Sequence, residues 1–195
     1  MTDEYEQKAW FFPDVNELDK LRLFWKKRMK NKDCSPQLVI DELWADTENK
    51  LKQKELTLRL RKIGNEAFVA IKGPVRKVNN CKVREEFETS VANLETMSQI
   101  FRLIGLKKDE FSEKYRETFD LGAVVGTIDS FPDLGCVVEI EGHEGDIEME
   151  KERLIELNLL REFSSITHGE IVEEFHKLTG KYPKKTFENK SVKNN

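Results

Sequence analysis

Residues 84–88 read Arg84-Glu85-Glu86-Phe87-Glu88. In an extended chain successive side chains point to opposite faces. Arg84, Glu86 and Glu88 therefore share one face, with Val83 and Phe87 on the other. An ordinary half-buried strand turns a loose mixture of Ser, Thr, Lys and Gln to water, whereas here the polar face is fully ionised and carries both signs. The same arrangement recurs along the chain. Leu58-Arg59-Leu60-Arg61 sets two arginines against two leucines, Lys114-Tyr115-Arg116 sets two bases against a tyrosine, and Val138-Glu139-Ile140-Glu141 sets two acids against Val138 and Ile140. Glu4, Glu6 and Lys8 alternate near the start, and Lys72 and Asp129 end two further runs. The collected face holds the acids Glu4, Glu6, Glu86, Glu88, Asp129, Glu139 and Glu141 and the bases Lys8, Arg59, Arg61, Lys72, Arg84, Lys114 and Arg116.

Outward from these motifs, period two predicts about eight strands: 4–12, 38–44, 55–61, 67–72, 82–89, 112–119, 124–129 and 136–141. Short turns such as Gly64-Asn65 and Pro132-Asp133 imply antiparallel pairing. Helical spacing occurs in four places: residues 14–30 with Asp14 as N-cap, 93–103, 147–160, and 167–178 with a Thr167/Glu170 capping box and Gly180 beyond its end. A solvated charged sheet with weak cross-strand ion pairs would produce such strands. A barrel with a charged interior produces them too, and it also explains why helices with apolar stripes accompany the strands. The expected fold is α+β: a closed eight-stranded antiparallel β-barrel with charged lumen and apolar exterior. Leu58, Leu60, Val69, Ile71, Phe87, Val138 and Ile140 are expected to point outward under helices.

Composition agrees. Charged residues make up 36% of the 195 residues, against roughly 25% in an average soluble domain, with a net charge of -4 and 38% hydrophobic content. One domain over residues 1–180 is expected, followed by a Lys-rich tail, 181–195, without ordered structure. No run approaches the roughly 20 apolar residues of a membrane span, and no signal-peptide pattern opens the chain, so a cytoplasmic protein without a membrane partner is expected. Basic residues are not gathered into a nucleic-acid surface. Cys34, Cys81 and Cys136 have neither disulfide-framework nor zinc-site spacing and are read as reduced thiols. His143, His168 and His176 lie off the charged face, and Trp10, Trp25 and Trp44 read as packing residues, Trp44 being the one candidate for stacking on a substrate ring.

A lumen with guanidinium and ammonium groups beside carboxylates suits a triphosphate. The bases grip phosphate oxygens, while the acids hold Mg²⁺ or Mn²⁺ against them. Without the metal, the acids would repel both the substrate and one another. A non-catalytic nucleotide or polyphosphate sensor would need only the bases.

The ordered motifs resemble the CYTH superfamily, the triphosphate tunnel metalloenzymes, which include class IV adenylate cyclases and thiamine triphosphatases. Glu4-Tyr5-Glu6-Gln7-Lys8 matches the family's Glu-x-Glu-x-Lys hallmark. Leu58-Arg59-Leu60-Arg61, Lys72-Gly73-Pro74, Arg84-Glu85-Glu86-Phe87-Glu88, Lys114-Tyr115-Arg116, Asp129 and Val138-Glu139-Ile140-Glu141 follow in the family's order. Trp44-Ala45-Asp46-Thr47 departs from the Tyr-Phe-Asp-Thr of many relatives. The resemblance implies an eight-stranded tunnel in which Lys8, Arg59, Arg61, Lys72, Arg84, Lys114 and Arg116 bind the triphosphate of ATP or a similar molecule. It implies Glu4, Glu6, Glu139 and Glu141 as leading metal carboxylates, assisted by Asp129, Glu86 and Glu88, with Glu4, Glu6, Lys8 and Lys114 at the catalytic centre. A monomer or homodimer is expected. The implied reaction is ATP to cyclic AMP and pyrophosphate, or hydrolysis of an organic or inorganic triphosphate.

Overall fold

The computed structural model describes residues 3–11, 18–30, 33–78, 81–160 and 166–187. Nine strands form one antiparallel sheet: β1 (Asp3–Phe11), β2 (Gln37–Asp46), β3 (Thr57–Ile63), β4 (Glu66–Lys72), β5 (Arg76–Val78), β6 (Cys81–Val91), β7 (Leu106–Asp120), β8 (Val124–Phe131) and β9 (Gly135–Gly142). Their order is β1-β9-β8-β7-β2-β3-β4-β6-β5, and β1 also pairs with β6. That pairing, Glu4 opposite Arg84 and Glu6 opposite Lys82, closes eight strands into a barrel and removes its free edges. β5 is a short ninth strand that the alternation did not reveal, and it hangs on β6 at the end of the Lys-Gly-Pro turn.

Among the described residues five helices accompany the barrel: α1 (Leu18–Arg28), α2 (Lys50–Gln53), α3 (Leu94–Leu103), α4 (Glu144–Glu156) and α5 (His168–Thr179). Asn93 caps α3 by accepting from the Thr96 amide, and Thr167 with Glu170 completes the predicted capping box of α5, which stops at Gly180 in the left-handed region. The cap predicted at Asp14 lies outside the described residues. α2, a single turn, has no apolar stripe to announce it.

The main core lies outside the barrel wall. Leu18, Leu21 and Trp25 of α1 and Ile147 and Leu154 of α4 pack on Val83, Phe119, Val124, Ile128, Val138 and Ile140. A second cluster lies under α3, where Phe101 meets Trp44 and Leu60 with Leu58 and Val69 alongside. Trp44 therefore packs edge-on against Phe101 on the outer wall and is not available to a ligand in the lumen. Phe87 faces outward as expected but is 55% exposed, so no described helix buries it.

α5 corrects the picture of helices confined to the exterior. Its Ile171 and Phe175 pack on Leu134, Val137 and Phe131. Val137 shares a strand face with Glu139, and Phe131 shares one with Asp129, so α5 lies against one end of the lumen. Residues 181–187 of the tail, expected to be unstructured, run beside β7: the Glu113 amide donates to the Lys185 carbonyl, and Phe187 meets Tyr115. Residues 188–195 lie outside the described residues. No helix among the described residues is long and apolar enough to cross a membrane.

Candidate active site in the barrel lumen

Strand register assembles the site. Across β1 and β9, Lys8 stands opposite Glu139 and Glu6 opposite Glu141; across β7 and β8, Arg116 stands opposite Asp129. The side chains follow. Lys8 donates to Glu139 and, at 3.1 Å, to Glu6; Arg116 forks onto Asp129 with two contacts of 2.6 Å and reaches Glu139 at 3.1 Å; Lys114 binds Asp129 at 2.5 Å. All these groups are buried or nearly so.

The opposite wall carries a second set. Across β4 and β6, Lys72 stands opposite Glu86 and pairs with it, and one Arg59 nitrogen donates to both Glu86 and Glu88 at 3.1 Å. The Nε of Arg59 is buried and has no hydrogen-bond partner among the described residues. Arg84 reaches back to the Gly73 carbonyl at 2.8 and 3.1 Å and to Thr57, so it also braces the Lys-Gly-Pro turn. Glu4 enters the barrel through its backbone pairing with Arg84, and its side chain lies outside the described residues.

Among the lumen residues that escaped the sequence reading are Lys82, Asp41 and Thr127. Lys82, two residues before Arg84, pairs with Glu6, and extending the period one step would have found it. Asp41 stands opposite Arg61 and accepts its guanidinium through two contacts of 2.7 and 2.8 Å. It was hidden because Val39 and Leu43, its neighbours on the same strand face, are apolar. Thr127, opposite Glu139, carries no charge to mark it.

Electrostatics keep the cluster ionised. Burial pushes the Glu139 carboxyl up, but Lys8, Arg116 and Lys114 outweigh it and hold the group well below its ordinary range. Asp129 is likewise pushed up by burial and brought below its usual value by Lys114 and Arg116. For Lys8, burial works against the charge, yet Glu139 and Glu6 prevail and raise it. Lys114 goes the other way. Burial and the neighbouring Arg116 lower it more than Asp129, shared with Arg116, can restore. His168, at the start of α5, stacks on Phe131 at 4.6 Å. Although the residue is exposed overall, desolvation of the ring followed by the Lys114 and Lys8 charges lowers it to about 4, so it is neutral at neutral pH. Its contact with Phe131, which shares a strand face with Asp129, sets it beside the end of the lumen.

Glu6, Glu139 and Glu141 each offer a carboxylate oxygen, all within 4.8 Å of one another. That spacing is close enough for the three side chains, with some adjustment, to hold one small divalent cation among them. An all-oxygen donor set suits a hard cation such as Mg²⁺ or Mn²⁺.

The family model described as the CYTH domain matches residues 4–171. A protein of Methanocaldococcus jannaschii, provisionally named an adenylate cyclase, is 32% identical over 131 residues, which are 67% of this chain and 73% of the relative. Among solved structures, a Pyrococcus horikoshii protein superposes with a TM-score of 0.66 at 21% identity, covering 88% of this chain and 99% of its own. A Hippeastrum protein, provisionally an adenylyl cyclase and described as having a dominant triphosphatase activity, gives 0.68 at 13% identity, covering 90% and 96%. At these identities the two structures speak for the fold.

Proposed function

The chain belongs to the CYTH domain family, and on that premise we propose that it is a Mg²⁺- or Mn²⁺-dependent phosphoryl-transfer enzyme acting on a triphosphate inside the barrel. The observation that carries this reading is the two-sided lumen. Arg59, Lys72 and Arg84 line one wall, Lys8, Lys114 and Arg116 the other, and the Glu6, Glu139 and Glu141 carboxylates converge beside them. A pure anion receptor has no use for buried carboxylates among its bases, since they oppose the ligand.

In this reading Arg59, Arg116 and Lys72 exchange their internal carboxylate partners for phosphate oxygens, Arg84 turns to them from the Gly73 carbonyl, and Arg59 Nε gains an acceptor. Glu6, Glu139 and Glu141 would hold the cation, which would supply neutralisation of the charge developing on the phosphate groups. Lys8, kept firmly charged by Glu139 and Glu6, supplies electrostatic stabilisation. Lys114, whose charged form burial and the neighbouring Arg116 disfavour, is assigned to proton transfer with the attacking hydroxyl.

With ATP, attack by the ribose 3′-hydroxyl on the α-phosphorus breaks its bond to the bridging oxygen and releases pyrophosphate with cyclic AMP. The cyclase name of the M. jannaschii relative favours this reaction. Attack by water on the terminal phosphorus is the second reading, favoured by the triphosphatase description of the Hippeastrum neighbour. Chromatography of products after incubation with ATP, tripolyphosphate and thiamine triphosphate separates them. Cyclic AMP with pyrophosphate supports the cyclase, a diphosphate with phosphate supports the hydrolase, and no metal-dependent turnover of any of the three would overturn both.

A further inference from the structure

Thr127 occupies β8 directly opposite Glu139 of β9, with Thr118 of β7 on its other side. It is 2% exposed, and its Oγ1 has no hydrogen-bond partner among the described residues. Nothing in the packing calls for a hydroxyl. Valine has nearly the same shape and a high strand preference, and a buried hydroxyl left unpaired costs roughly 1 to 3 kcal/mol. No described group of the chain satisfies it, which leaves the hydroxyl open to a partner from outside.

The neighbouring groups indicate which. Glu6 and Glu139 are ligand candidates for one cation, but their oxygens are already in use: Glu6 receives Lys8 and Lys82, and Glu139 receives Lys8 and Arg116. A small divalent cation keeps several of its waters, and those waters need acceptors. The carboxylates keep part of their acceptor capacity, but further use of it competes with Lys8, Lys82 and Arg116. A neutral hydroxyl beside Glu139 adds an acceptor without adding to the negative charge.

We propose that Thr127 is a positioning residue of the cation site, its Oγ1 accepting a hydrogen bond from a water carried by the divalent ion that Glu6, Glu139 and Glu141 hold. This rests on the metal-binding reading of the lumen and deepens it. A partner outside the first ligands typically changes metal affinity by tenfold or more. The experiment titrates Mn²⁺ calorimetrically into EDTA-stripped wild type, Thr127→Val and Thr127→Ser, and records the melting temperature of each metal-free protein.

The expected result is a split. Thr127→Val melts at or above the wild-type temperature but binds Mn²⁺ about tenfold more weakly, while Thr127→Ser recovers most of the affinity. Wild-type Mn²⁺ affinity in Thr127→Val overturns this inference alone, as does weakened binding that accompanies a lowered melting temperature and is not recovered by serine, which would mark a packing role. A wild type that takes up no Mn²⁺ overturns the metal reading beneath it.

Discussion

Arg59 spans Glu86 and Glu88 with one guanidinium nitrogen while its Nε stays unsatisfied in a buried wall. A phosphate oxygen would relieve that arrangement, so Arg59→Ala should weaken triphosphate binding by roughly 1.5 to 3 kcal/mol, about ten- to a hundredfold. Lys72→Ala should act similarly through Glu86. Titration with tripolyphosphate and thermal melting, measured on the same preparations, check this; unchanged affinity in both variants would remove the bases from the phosphate site. Glu139 tests the other half of the lumen. Glutamine keeps the size and one acceptor but removes the charge. Glu139→Gln should lower kcat far more than it raises KM, because the ion it helps to hold acts mainly on charge developing in the transition state. Steady-state kinetics at saturating Mn²⁺ read that split, and a variant with full kcat would clear Glu139 of the role.

At the scale of elements, the charged face was legible because ionised residues at i, i+2 and i+4 have no ordinary reason to exclude Ser, Thr and Gln. The strands carrying Arg84, Arg59 and Glu139 were found by that pattern alone. What stayed hidden had no such mark. Asp41 sits between apolar neighbours on its inner face, and α5 has the same apolar stripe whether it covers a wall or an end, so only Val137 and Phe131 reveal its place. The packing of α1 on the barrel was also beyond the periodicity, since it depends on a missing side chain. A Cβ at Gly126 would come within 2.8 Å of the Trp25 ring, which is buried and held by a hydrogen bond from its Nε1 to Glu150. Gly126→Ala should therefore destabilise the protein by about 1 to 3 kcal/mol, seen as a lower melting temperature with no loss of triphosphate affinity in the folded fraction. An unaltered melting temperature would mean that α1 is seated less closely than described.

For the whole molecule, buried carboxylates held by buried bases tie stability to pH. Burial pushes Asp41, Asp129, Glu139 and Glu150 up, but Arg61 for Asp41, Lys114 and Arg116 for Asp129, Lys8 and Arg116 for Glu139, and Arg28 and Trp25 for Glu150 bring each below its ordinary value. Groups whose folded pKa is depressed contribute stability that is complete above the unfolded values, near 4, and lost as pH falls below them. Melting temperature should hold between about pH 5 and 7 and drop steeply below about pH 4; a flat profile to pH 3 would contradict the ion pairing of the lumen. The central claim, that acids and bases are interleaved in one cavity so that a divalent cation and a triphosphate can occupy it together, has one most direct test. Turnover of ATP and tripolyphosphate is measured before chelation, after exhaustive EDTA treatment, and after Mn²⁺ is restored. Loss with EDTA and recovery with Mn²⁺ is the predicted result, and turnover undiminished by chelation, or absent in all three states, would contradict it.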